Sequence, residues 1–153
     1  MTPFNAVTSL VSGPVTEAGY RLRGDTWYRE APLGLLAIDL QKSEWGDQYY
    51  LNLGVYVRDL GTQRWPKTYQ CHLTIRAEVI DERQQKRWKE LLDMELPLDP
   101  QRRADEVRAL LVSQVLPLLD TLGTKAGLRQ ITVGGTLPHA AVRGTLQQYL
   151  GIA

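Results

Sequence analysis

The sequence is short of most of the residues that chemistry usually needs. It has one cysteine, two histidines and a net charge of only +1. Cys71 alone cannot close an internal disulfide, which suits a reducing compartment. His72 and His139 stand in different segments, with no HxxxH, HxH or CxxC spacing to gather ligands. Neither a metal nor another cofactor is therefore expected. Eighteen basic against 17 acidic side chains leave no excess of positive charge, and this argues against a nucleic-acid partner. No apolar run approaches the roughly 18 residues of a membrane span, so no membrane partner is expected. Met1 to Ser12 lacks the basic start and long apolar core of a signal peptide, which leaves the cytoplasm as the expected compartment. Ser9, Ser12, Ser43 and Ser113 sit in no GxSxG-like turn. Gly134-Gly135-Thr136 is a turn without the rest of a phosphate loop. No residue is named as catalytic.

What remains is ordinary for a folded domain. The 153 residues, 43% hydrophobic and 23% charged, fit a single domain spanning 1–153. Their distribution is uneven: eleven of the 12 aromatic residues precede Lys89. Aromatic and β-branched residues favour strands, whereas the later part is rich in Leu, Ala, Arg and Gln. This predicts an α+β fold rather than alternating βαβ units.

Phe4, Val7, Leu10, Val11, Val15 and Ala18 recur at helical spacing, with Thr2-Pro3 as cap and first turn. Gly13-Pro14 predicts a kink in this N-terminal helix, and Gly19 its end. Period-two alternation then predicts about four strands, near 26–30, 35–42, 49–58 and 69–78, in an antiparallel meander. Leu36, Ile38, Leu40, Leu51, Leu53, Val55, Cys71, Leu73 and Ile75 fall on its apolar face, to be covered by the helical C-terminal half. Asp81 and Asp99-Pro100 open helices there, Pro117 bends or ends the second, and Thr124 opens a third. Thr136-Leu137-Pro138 opens a last one, ending near Leu150.

The other face is polar. Asp39, Gln41, Tyr50, Asn52, Tyr56, His72, Thr74 and Arg76 share it if the register is simple, and they hold the groups that a ligand or protein partner would use. The plainer reading is a solvated face with cross-strand pairs such as Asp39 with Arg76. Trp45, in the turn Trp45-Gly46-Asp47, is the tryptophan predicted to be exposed.

The run Leu40-Gln41-Lys42-Ser43-Glu44-Trp45-Gly46 followed by Tyr49-Tyr50-Leu51-Asn52-Leu53-Gly54-Val55-Tyr56 resembles the bacterial domain-of-unknown-function 4304 family. So do Gly24-Asp25-Thr26-Trp27-Tyr28 and the later Tyr69-Gln70-Cys71-His72, and the resemblance covers about residues 4–120. It implies a compact α+β domain with no established activity, and it directs attention to Gln41, Ser43, Trp45, Tyr50, Asn52 and His72. Four of these already lie on the polar face by alternation.

Two functions suit such a face. One is a non-enzymatic domain that recognises a protein partner, of immunity type if the partner is a toxin. The alternative is a small ligand-binding or hydrolase-like enzyme with His72 as base and Asp39 or Arg76 assisting. A deep pocket joining His72 to Asp39 would favour the enzyme, and a flat, partly aromatic surface the binder. Nucleic-acid binding would need Arg21, Arg23, Arg29 and Lys42 to converge. The sequence leaves the oligomeric state open.

Overall fold

The alternating segments pair as one antiparallel sheet. The computed structural model describes residues 3–152, with side chains from Ala6 onward. Among the described residues six strands lie side by side in chain order. They are β1 (Arg21–Arg23), β2 (Thr26–Ala31), β3 (Gly34–Lys42), β4 (Tyr49–Val57), β5 (Leu73–Arg76) and β6 (Ala141–Val142). The register sets Ile38 opposite Leu53 and Leu53 opposite Ile75, so the apolar positions coincide across three strands.

Two short edge strands, β1 and β6, raise the count above the four that alternation predicts. The last predicted strand shrinks instead. A 3-10 turn at Thr68–Gln70 precedes it and another at Ala77–Val79 ends it, leaving only Leu73–Arg76 extended.

The earlier helices start at or near their local signals. Helix α1 (Pro3–Glu17) buries Val7, Val11 and Val15 completely and runs through Pro14. Gly19, at φ +95°, turns the chain into the sheet, a conformation cheap only for glycine. The Thr2 cap and the Phe4 side chain lie outside the described residues. The Asp81 carboxylate accepts the Arg83 N–H at 3.1 Å just before α2 (Gln85–Leu91). That of Asp99 accepts the Arg102 N–H at 2.9 Å at the start of α3 (Pro100–Leu110).

Pro117 does not stop the helix. A π-helical turn, Leu111–Val115, carries it on into α4 (Leu116–Leu122). Proline has no N–H for the carbonyl four residues back and its ring crowds that carbonyl, and a wider turn accommodates both. Thr124 caps α5 (Lys125–Val133) by accepting the Gly127 N–H at 3.1 Å.

The expected start of the last helix is wrong. Residues after Pro138 turn into β6, where Val142 and Ala141 pair with Leu73 and Thr74. Helix α6 begins only at Gly144 and ends at Leu150. Pairing with the outer edge of β5 satisfies backbone groups that an earlier helix would leave exposed.

Val107, Leu111, Val115 and Leu119 join Leu36, Leu53 and Ile75 in one buried core, so the helices cover the predicted face. The opposite face is not left wholly open. The segment after β4 folds back over half of it, building a second small cluster from Tyr28, Leu35, Ala37, Tyr56 and Cys71.

Cys71 is thus buried, but on the face opposite the one alternation assigns it. The turn at Thr68–Gln70 breaks the strand before Cys71, and its sulfur fills the space over Gly54, where a Cβ would lie 2.7 Å from Sγ. Burial pushes the thiol pKa up to about 12. Native protein should therefore react with a thiol reagent orders of magnitude more slowly than unfolded protein, because the thiolate is the nucleophile. Equal rates in a stopped-flow comparison would contradict that burial.

Candidate functional site

At the uncovered end of the second face, β3, β4 and β5 set Asp39, Asn52 and Arg76 in one cross-strand row. Gln41 stands opposite Tyr50 in the next row. The expected pair of Asp39 with Arg76 does not form, because Asn52 lies between them. Its amide donates to Asp39 at 3.0 Å and to Gln41 at 3.1 Å. The Thr68 hydroxyl donates to the other Asp39 oxygen at 2.7 Å. Arg76 lies over the Tyr50 ring, 4.1 Å from its centroid, and reaches the Gln41 oxygen at 3.4 Å. Side chains already held by one another lose little freedom when a partner arrives.

Two shallow hollows flank this row. One, of about 270 Å³, is bordered by Asn52, Tyr69, Arg76 and His139. The other, of about 370 Å³, is bordered by Asp25, Asp39, Lys67 and Tyr69. Lys67 and Asp25 form an ion pair, which lowers the Asp25 pKa. Tyr69 borders both hollows and is 74% exposed. The Arg143 guanidinium, donating to the Tyr69 carbonyl at 3.0 Å, ties this turn to the C-terminal segment. Thr68, Tyr69 and His139 complete the surface without any periodic signal, since a turn and a distant loop supply them.

Two of the predicted residues are withdrawn from it. Tyr56 is buried in the second cluster, where its hydroxyl accepts the Gln63 N–H at 2.9 Å. His72 is only 6% exposed. Its Nδ1 accepts the Val57 N–H at 2.9 Å, and its ring lies 4.6 Å from that of Tyr56. The chain leaves the strand path before Cys71, so the imidazole takes the place of a missing backbone acceptor. Burial lowers its pKa, partly opposed by a backbone hydrogen bond at Leu60. An Nδ1 that accepts a buried N–H carries no proton and is not free to take one from a substrate. Neither hollow is lined by His72.

Ser43 and Trp45 lie on the hairpin between β3 and β4. The Ser43 hydroxyl accepts the Trp45 N–H at 3.1 Å and shapes the turn. Trp45 projects outward at 93% exposure, as the turn signal predicts. Among the described residues no three His, Cys, Asp or Glu side chains gather where a metal ion could bind, and no helix is long and apolar enough to cross a membrane.

The sequence model of one family, described as a domain of unknown function (DUF4304), matches residues 11–121. That stretch runs from within α1 to α4 and includes every predicted site residue, while His139, β6 and α6 lie beyond it. No curated protein and no solved structure matches the chain.

Proposed function

Because the chain belongs to the DUF4304 family, whose description assigns no chemistry, we propose from the site's geometry that it is a non-enzymatic domain that recognises a protein partner through the uncovered half of its sheet. The observation that supports this reading is the polar row of Asp39, Asn52 and Arg76, pre-bonded with Gln41 of the next row, beside the exposed Tyr69 ring. The surface is shallow and partly aromatic, as an interface centre is. The imidazole that an enzyme would use faces inward. In the specific form of this reading the partner is a toxin, the domain acting as its immunity protein.

Arg76→Ala, at an exposed residue, should leave the melting temperature within a few degrees, since such substitutions typically change stability by about half a kcal/mol or less. Asn52→Ala, at a half-buried residue with two side-chain hydrogen bonds, should cost about 1 kcal/mol. His72→Ala should lower the melting temperature by several degrees, because a buried N–H left unpaired costs about 1–3 kcal/mol. A photo-crosslinking residue at position 69 should capture a partner in cells, and either polar variant should abolish the capture. Co-expression with any toxin encoded beside the gene tests the immunity form. Equal capture from position 69 and from Arg129 on α5, or capture indifferent to both variants, would refute the proposal.

A further inference from the structure

At the outer edge of the sheet, β2 runs on past the first residue of β1, and a cavity of about 610 Å³ opens there. That volume lies within the range of small-molecule sites. Its wall is aromatic and aliphatic: Tyr28, Leu35 and Trp65 line it, with the Tyr28 and Trp65 rings 5.3 Å apart and tilted by 55°. Its rim is cationic. Arg21, Arg23 and Arg29 all border it, so three of the four cations considered for a nucleic-acid surface do meet. The fourth, Lys42, is paired with Asp47 instead.

The charges there are not balanced internally. Arg29 is held by Asp120 at 2.6 Å. Glu30, the one carboxylate on the rim, faces Arg58 at 3.8 Å. Arg21 and Arg23 have no carboxylate partner among the described residues. They are two residues apart on one strand, so their Cα atoms are about 7 Å apart. The Arg23 guanidinium lies 4.3 Å from the centre of the Trp65 ring, and Arg64 approaches the same ring at 5.7 Å. With its guanidinium over the Trp65 ring and no carboxylate beside it among the described residues, Arg23 has N–H donors to offer a bidentate oxyanion.

We propose that this cavity is a binding site for a small phosphate monoester with a planar apolar body, its phosphate held by Arg21 and Arg23 and its ring against Tyr28, Leu35 and Trp65. Two unpaired guanidinium groups match the charge of a dianionic phosphate. The aromatic wall matches a flat ring that can pack edge to face. The site is separate from the polar row and stands whether or not that row binds a protein.

Calorimetric titration of the full chain with phenyl phosphate tests the assignment, with inorganic phosphate, phenol and benzoate titrated separately. Phenyl phosphate should bind about tenfold or more tightly than any of the three. Arg21→Ala and Arg23→Ala should each weaken it about tenfold. Their melting temperatures should hold, because β1 is exposed along its length, and Arg83→Ala, on an exposed residue paired with Asp81, should change nothing. Three results overturn the proposal: phenyl phosphate binding no tighter than inorganic phosphate or phenol, benzoate binding equally well, or unchanged affinity in the Arg21→Ala/Arg23→Ala double variant.

Discussion

Arg103→Ala is expected to destabilise the fold by about 1.5–3 kcal/mol, the range for losing hydrogen bonds made by a charged group. Arg103 is a buried cation that touches no carboxylate among the described residues. Its guanidinium instead donates to four backbone carbonyls, those of Glu90 at 3.4 Å, Leu91 at 2.5 Å, Asp93 at 3.1 Å and Leu96 at 2.6 Å. These carbonyls lie at and just beyond the end of α2, and that of Leu91 has no backbone donor among the described residues. Burial pulls the Arg103 pKa down, so the carbonyl dipoles must compensate for lost hydration. Alanine leaves the Leu91 carbonyl without a donor, at about 1–3 kcal/mol if water cannot reach it, while those of Glu90, Asp93 and Leu96 keep the backbone N–H groups of Asp93, Leu96 and Leu98. Urea unfolding should show the midpoint falling with the slope unchanged. Arg103→Met keeps the aliphatic stem and should fare little better, which separates lost hydrogen bonds from lost packing. A loss below about 1 kcal/mol would mean that water replaces the guanidinium and that the Leu91 carbonyl is not truly sequestered.

Leu53→Ala should cost about 2–5 kcal/mol, as large-to-small substitutions in a closed core do. Leu53 is fully buried on the central β4, between Ile38 and Ile75, under the helical layer. Strands on both sides and helices above prevent collapse into the space, which places the expected value toward the upper end of the range. Leu22→Ala on the edge strand β1, half exposed, makes the comparison. It should change stability by only about half a kcal/mol. Similar losses at the two positions would place Leu53 outside the closed core.

The two variants differ in how far the sequence foretells them. The burial of Leu53 follows from alternation along Tyr49–Val57, and the register only confirms which neighbours it meets. Arg103 gives no such warning. It sits in the polar run Gln101-Arg102-Arg103 at the start of α3, and its carbonyl partners lie up to 13 residues away. The candidate site divides in the same way. Asp39, Gln41, Tyr50, Asn52 and Arg76 share a face because period two requires it. Thr68, 29 residues from Asp39, reaches that carboxylate only because the chain folds back.

The sequence by itself determined the class of fold, the two faces of β3 and β4, and the helix starts at Asp81, Asp99 and Thr124. Each is settled by hydrogen bonds and side-chain directions within a few residues, so local order is enough to read them. Tertiary structure decided that Tyr56, Cys71 and His72 are buried on the face where the polar residues lie, that β6 closes the edge of β5, and that Pro117 is absorbed by a π turn. It also brought Arg21 and Arg23 to the cavity beside Trp65. These outcomes depend on contacts between distant segments. Whether an alternating residue ends in solvent or under a returning loop is set by what packs over it, and no local period carries that information.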